Sequence, residues 1–153
     1  MMRMFVVACV LALSACTSGE DARQEQPAVS ENERALPAPT PDDVTLRIGA
    51  AQNGQTVEVP LNQRFAVELV GVPTAGYQWA PTQMPPFLTR AGEVSGNTVA
   101  AQSQPGYTGG NHWEVFMFSA TAAGTGELVL EQRRPWETDQ PASETFRVTI
   151  VAR

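Results

Sequence analysis

Short segments in which apolar and polar residues alternate recur from Val44 to the end of this 153-residue chain, with turn signals between them. The segment Val44-Thr-Leu-Arg-Ile48 is an example, and Gln52-Asn-Gly54 after it is typical of a tight turn. Such segments at a spacing of roughly ten residues, without a convincing helical period, are typical of a sandwich or barrel. We therefore predict an all-β fold, an immunoglobulin-like β-sandwich of seven to eight short strands, near 44–48, 56–59, 64–70, 77–79, 87–94, 113–120, 127–133 and 145–151.

The alternation also assigns side chains to faces, because successive residues of a strand point to opposite sides of the sheet. Val44, Leu46 and Ile48 should share one face. The residues of later strands that should point into the core are Phe116, Phe118, Ala120, Leu128, Leu130, Phe146, Val148 and Ile150. The opposite face of the strand 113–120 would carry Trp113, Val115 and Met117. We expect a bulge at Gly92, a strand end at Pro81 and a loop over 96–110.

Composition excludes several classes of function. The net charge is −6 and every base is an arginine, so the basic footprint that nucleic acid requires is missing. The single histidine, His112, cannot form a multi-histidine metal site. The two cysteines, Cys9 and Cys16, leave the rest of the chain without a thiolate nucleophile, a disulfide or a cysteine-based zinc site. We expect a monomer that is not an enzyme and holds no metal or cofactor.

Residues 1–16 form a segment typical of protein targeting. Arg3 precedes the apolar run 5–13, which is too short for a membrane-spanning helix of about 20 residues. The run ends in Leu13-Ser-Ala-Cys16, which resembles a bacterial lipobox, in which the cysteine is acylated and becomes the mature N-terminus. The resemblance implies a lipoprotein anchored in the cell envelope, at the periplasmic face of the outer membrane, through a lipid on Cys16. The alternative is an ordinary secretory signal cleaved after Ala15.

Residues 17–43 have a different composition. They contain four prolines, seven acidic residues and almost no large apolar residue, so they cannot bury enough surface to offset the entropy of ordering. We predict a flexible acidic tether up to residue 43 and a folded domain over 44–153. The alternative near Glu31–Leu36 is a short helix, although nothing apolar there would hold it.

Three connections carry residues that are unusual in plain turns. Residues 71–77 combine Pro73, which fixes φ, with Gly76, which permits a positive φ. Residues 105–111 are rich in glycine. Residues 133–137 contain Trp136 after a proline and two arginines, and tryptophan and arginine are enriched in binding hot spots. Taken singly, each has a structural alternative: a plain turn, a disordered connection, and a tryptophan folded back on the sheet edge.

In this order along the chain, the three segments resemble those of the chagasin family of cysteine protease inhibitors. That family carries a loop reading Asn-Pro-Thr-Thr-Gly-Tyr/Phe, a glycine-rich loop, and a third loop with Arg-Pro-Trp. The present chain has Val72-Pro-Thr-Ala-Gly-Tyr77, Gly106-Tyr-Thr-Gly-Gly110 and Arg134-Pro-Trp136. The strands between these loops also match, so the resemblance covers about residues 44–153.

The resemblance implies a reversible inhibitor of papain-like cysteine proteases whose three loops enter the active-site cleft as a wedge. The first loop would cover the catalytic Cys–His pair, the glycine-rich loop would bind through its backbone, and the third would pack its tryptophan on the enzyme. The residues implied to contact the protease are Pro73, Thr74, Ala75, Gly76, Tyr77, Gly106, Gly109, Gly110, Arg134, Pro135 and Trp136.

Two residues depart from the family's pattern in the first loop. Val72 replaces an asparagine that could brace the loop through its side chain, and Ala75 replaces a threonine hydroxyl. Both changes bear on affinity more than on the mode of binding. They also leave open an alternative function, a non-inhibitory immunoglobulin-like binding lipoprotein of the cell envelope.

Overall fold

The computed structural model describes residues 31–153. The predicted targeting segment 1–16, Cys16 and the first part of the predicted tether, up to residue 30, lie outside the described residues. The described chain is all-β, as predicted, and contains eight strands. Their bounds are β1 Leu46–Gly49, β2 Thr56–Val59, β3 Arg64–Gly71, β4 Gln78–Gln83, β5 Leu88–Asn97, β6 His112–Ala120, β7 Gly124–Arg133 and β8 Glu144–Ala152.

The strands form two four-stranded sheets that pack as an immunoglobulin-like sandwich. One sheet has the order β1-β3-β6-β5 and the other has the order β2-β8-β7-β4. The pairs β1–β3 and β2–β8 are parallel, and all other neighbours in the two sheets are antiparallel. Within residues 31–153, no helix is long and apolar enough to cross a membrane.

The main core lies between the sheets and confirms most of the predicted faces. Phe116, Phe118, Leu128, Leu130 and Ile150 are almost fully buried there, together with Ala120, Phe146 and Val148. The prediction that Val44 shares a face with Leu46 and Ile48 is wrong. Val44 precedes the strand, in a turn closed by its own N–H to Pro41 O, so the alternation of β1 does not extend to it.

A second apolar cluster lies on the outer face of the β1-β3-β6-β5 sheet. Its buried members are Ala38, Val44, Ala66, Val115 and Met117, and Trp113 packs against them. The predicted second face of β6 is therefore confirmed as apolar. What covers it is the chain before β1, which runs across this face.

The last part of the predicted tether therefore differs from the structure. Residues 31–33 form a 3₁₀ turn, and the following residues pack on the sheet instead of standing free of it. Ala38 and Thr40 are buried, and the Trp113 indole N–H donates to Leu36 O at 2.9 Å. These residues are poor in large apolar side chains, but a few small ones suffice when a sheet already supplies the apolar surface. We call residues 34–44 the N-terminal strap.

Three strand bounds differ from the sequence prediction by three or four residues. β4 continues through Pro81 with a bulge before Gln83, which is possible because an edge strand does not need the missing N–H. β5 extends to Asn97, so the loop predicted from residue 96 begins later, and the predicted bulge lies beside Gly92. β7 begins at Gly124, three residues earlier than predicted. Phe87 packs so close to Gly124 that an added Cβ would come within 2.7 Å of its ring.

Candidate functional site

The three connections singled out in the sequence meet at one end of the sandwich, which we call the loop end. Loop 1 (72–77) joins β3 to β4, loop 2 (98–111) joins β5 to β6, and loop 3 (134–143) joins β7 to β8. The strand pairing brings them together, because Gly71 and Asn97 both pair with His112 while Gln78 pairs with Arg133.

Loop 1 is a tight turn held by its own backbone. Pro73–Ala75 forms a 3₁₀ turn, and Val72 O accepts hydrogen bonds from the N–H groups of Ala75 (3.0 Å) and Tyr77 (3.2 Å). Gly76 has a φ of 85°, a left-handed conformation that favours glycine. Thr74 and Ala75 are exposed at the tip. The bracing that Val72 cannot give through its side chain thus comes from its carbonyl.

Arg134 joins loop 3 to loop 1. Its Nε donates to Ala75 O at 3.0 Å, its guanidinium lies 4.5 Å from the centre of the Tyr77 ring, and Nη1 bonds Glu137 at 2.9 Å. The hydrogen bond that Arg134 donates to Glu137 raises the pKa of Arg134 above its already high usual value. Arg134 therefore stays charged and ties the two loops. Glu137 is its acidic partner.

Trp136 stands at the tip of the loop end. The side chain is 68% exposed, more than any other large apolar residue described. One edge of the indole rests on Gly76, where an added Cβ would come within 2.3 Å of Cη2. The alternative that the tryptophan folds back on the sheet edge is therefore not what the structure has. Gly76 serves two purposes, since it takes the positive φ and leaves room for the ring.

Loop 2 is organised by one glutamine and several glycines. The Gln102 side chain accepts from the N–H groups of Thr98 (2.6 Å) and Val99 (3.0 Å) and donates to Asn111 O at 2.7 Å, so it bridges the two ends of the loop. Positive φ angles occur at its glycines, Gly106, Gly109 and Gly110. The Thr74 hydroxyl donates to Gly110 O at 3.4 Å, which places loop 2 beside the tip of loop 1.

Beneath loop 1 lies a buried carboxylate that sequence reasoning missed. Glu114 is 8% exposed, and its Oε2 accepts from the backbone N–H of Trp79 at 2.8 Å. Desolvation raises the pKa of Glu114, although that hydrogen bond opposes the shift. A Cβ at Gly71 would lie 1.8 Å from Oε1, so any larger residue at the end of β3 would force the Glu114 side chain to move. The available signal was a charged residue at an inward position of β6.

The stem of loop 3 is held by a second buried polar residue. Gln132 lies at the end of β7, and its Nε2 reaches Val70 O at 3.4 Å, while Trp79 Nε1 donates to the same carbonyl at 2.9 Å. Ser143 closes the loop by donating from both N–H and hydroxyl to Gln132 O, each at 2.9 Å. The loops therefore leave a fixed platform at the ends of the two sheets.

The predicted contact residues fall into two groups in the structure. Exposed at the surface are Thr74, Ala75, Gly106, Gly110, Pro135 and Trp136. Partly buried are Pro73, Gly76, Tyr77, Gly109 and Arg134. The first group forms the outward surface of the loop end, and in the second Tyr77 and Arg134 face each other. Among residues 31–153, no group of three or more His, Cys, Asp or Glu side chains could hold a metal ion.

The sequence model of the chagasin family, described as chagasin family peptidase inhibitor I42, matches residues 58–150, more than half of the chain. The chain belongs to the chagasin family. Members of this family are inhibitors and not enzymes, so the chain is a protease inhibitor by family. A comparison with curated proteins finds no match.

Solved structures include several that resemble this chagasin-family domain. The cysteine protease inhibitor EhICP2 from Entamoeba histolytica matches with a TM-score of 0.60 and 17% identity, over 71% of this chain and 95% of that one. Amebosin matches with a TM-score of 0.49 and 25% identity, over 71% and 97%. PbICP-C, solved in complex with falcipain-2, matches with a TM-score of 0.45 and 12% identity, over 72% and 92%. The likeness to EhICP2 supports the fold.

Proposed function

We propose that this chain is a reversible inhibitor of papain-like cysteine proteases that blocks the active-site cleft with loops 1, 2 and 3. The observation that carries the proposal is their arrangement as one surface. Arg134 and Thr74 link loop 1 to its neighbours on either side, and Trp136 stands 68% exposed beside the tip. An exposed tryptophan supported by its own loops is suited to be an anchor in a binding interface.

Inhibition of this kind requires no chemistry from the inhibitor. Loop 1 is a 3₁₀ turn closed by two hydrogen bonds to Val72 O, so its peptide groups are not laid out as an extended substrate. Because Pro73, Gly76 and Arg134 already fix the loop, little conformational entropy remains to be lost when it binds. Loop 1 would therefore occupy the active site of the protease without presenting a peptide bond that the enzyme could readily cleave.

The direct experiment is a titration of the full chain, purified in detergent, against papain and a cathepsin-type protease. We expect competitive inhibition that dilution reverses. An absence of inhibition at micromolar concentration of the chain would reject the proposal and favour the second candidate, a non-inhibitory binding lipoprotein of the cell envelope. Val72 and Ala75 are the observation that keeps this candidate, since both depart from the family's pattern at the tip.

The anchoring of the inhibitor is a separate part of the proposal. We propose that Cys16 carries a lipid and holds the domain at the periplasmic face of the outer membrane, on the strength of the motif Leu13-Ser-Ala-Cys16. Metabolic labelling with a fatty acid in a bacterial host should label the wild-type chain but not Cys16→Ser. Release of an unlabelled wild-type chain would support the ordinary secretory signal instead.

A further inference from the structure

The N-terminal strap makes an antiparallel contact with the start of loop 2. Ala35 and Val99 form an isolated β-bridge. On its two sides, the Leu36 N–H donates to Thr98 O at 2.8 Å and the Ala100 N–H donates to Arg34 O at 3.0 Å. The strap thus supplies two backbone hydrogen bonds to the point where β5 passes into the loop.

The strap is itself fixed to the sheet behind it. Trp113 Nε1 donates to Leu36 O at 2.9 Å, one residue before Pro37. Pro39 packs on Gly96 so closely that a Cβ there would come within 3.0 Å of Cγ. Further along, the buried Thr40 bonds Glu68. These contacts connect the strap with three strands of the sheet, so it offers loop 2 a rigid support.

Loop 2 has few other connections to the scaffold. The bonds made by Gln102 all join residues within the loop. From outside it, the Asn97 side chain at the end of β5 donates to Ser103 Oγ at 3.1 Å, and the bond from Thr74 to Gly110 is long at 3.4 Å. Gly106 and Gly109 have positive φ angles and open space around them. A glycine-rich loop loses much conformational entropy when it is ordered, so an external support has a large effect on its position.

We propose that the N-terminal strap is a positioning element of the inhibitor, which holds loop 2 in the place where it meets the protease. The inference rests on the proposed function, because it concerns the loop that would lie along the cleft. The match to the family covers residues 58–150, so the strap belongs to the part of this chain that lies before the matched region. The strap acts through loop 2 and need not touch the enzyme.

The test compares Leu36→Pro with Leu36→Ala in the full chain. Both remove the leucine side chain, but only proline removes the N–H that bonds Thr98 O. Ala35, in a β-bridge, is extended, as a residue before proline should be. We expect amide exchange across 98–111 to rise about tenfold in Leu36→Pro, the equivalent of one hydrogen bond. Exchange in loops 1 and 3 should stay as in the wild type.

Inhibition of papain should follow the same order. We expect Leu36→Pro to raise the inhibition constant about threefold to tenfold through faster dissociation, and Leu36→Ala to remain within about twofold of wild type. Should Leu36→Pro fail to fold, Trp113→Phe replaces it, because phenylalanine keeps a ring on the outer cluster and lacks the donor to Leu36 O.

Equal exchange in the proline and alanine variants would overturn the proposal. Faster exchange with unchanged inhibition would also overturn it, since the strap would then order a loop that plays no part in binding. The proposed function fails in a different way, because the wild-type chain itself would then not inhibit. In that case the exchange data alone decide whether the strap holds loop 2.

Discussion

Trp136 offers the sharpest test of how this inhibitor binds. The indole is 68% exposed at the tip of loop 3, and Gly76 supports one of its edges. Replacing it with alanine removes the ring and leaves the bonds that Arg134 makes to Ala75 and Glu137 in place. The change therefore removes a contact surface without dismantling the loops.

The exposed area sets the magnitude. A tryptophan side chain can bury up to about 250 Å², so 68% exposure leaves roughly 170 Å² for the protease to cover. At about 25 cal/mol per Å² of apolar surface, complete burial contributes at most about 4 kcal/mol. Part of this free energy is offset by the entropy lost when the side chain is ordered, and incomplete burial reduces it further. We therefore expect Trp136→Ala to lose about 2 kcal/mol or more of binding free energy, equivalent to roughly 30-fold in the inhibition constant.

The assay is competitive inhibition of papain with a fluorogenic peptide substrate. Met84→Ala is the matched control, because Met84 is also an exposed apolar side chain (40%) but lies between β4 and β5, at the end of the sandwich opposite the loops. It should leave the inhibition constant unchanged, and Trp136→Phe should fall between alanine and wild type. A loss below about 0.5 kcal/mol for Trp136→Ala would refute the reasoning that loop 3 is an anchor.

Three further predictions concern Gly76, Glu114 and Thr74. Gly76→Ala should weaken inhibition at least tenfold, because the added Cβ displaces Trp136. Gly54→Ala is the control, since Gly54 also has a positive φ but has open space around it: both variants should cost about 1 kcal/mol of stability, and only Gly54→Ala should leave inhibition intact. Equal inhibition constants for the two variants would contradict this. Burial raises the pKa of Glu114 above its usual 4.5, so its contribution to the free energy of unfolding should fall as the pH rises from 4.5 through the raised pKa. The difference in melting temperature between about pH 5 and about pH 7 should therefore be larger for wild type than for Glu114→Gln. Identical differences would exclude the effect. Thr74→Ala should weaken binding of the protease by about 1 kcal/mol, and an unchanged inhibition constant would mean that the Thr74 hydroxyl, including its bond to Gly110, contributes nothing to binding.

The strands and the main core could be predicted because each strand buries one face, which forces the alternation that the sequence displays. Phe116 and Phe118 illustrate this, since both are almost fully buried where the pattern placed them. The grouping of the three loops could not come from the pattern alone. It depends on which strands pair, and the resemblance to the family supplied it.

The strap and Glu114 escaped prediction for opposite reasons. The strap is rich in proline and poor in large apolar residues, and it is ordered because Val115 and Met117 on β6 present an apolar face that it covers and because Trp113 and Glu68 bond to it. The apolar residues on both faces of that strand were the available signal. Glu114 interrupts an inward face, and only the structure reveals that the Trp79 amide and the missing side chain at Gly71 accommodate it.

The two bulges have a consequence for how the molecules behave together. Each lies on an outermost strand, at Pro81–Gln83 in β4 and at Arg90–Gly92 in β5, so neither of these borders offers a regular row of unpaired N–H and C=O groups. A strand from a second copy, or a peptide segment of a protease, would therefore find no regular register along β4 or β5 in which to extend the sheet. Molecules held close together, as the proposed lipid at Cys16 would hold them, would therefore not join their sheets through these two strands.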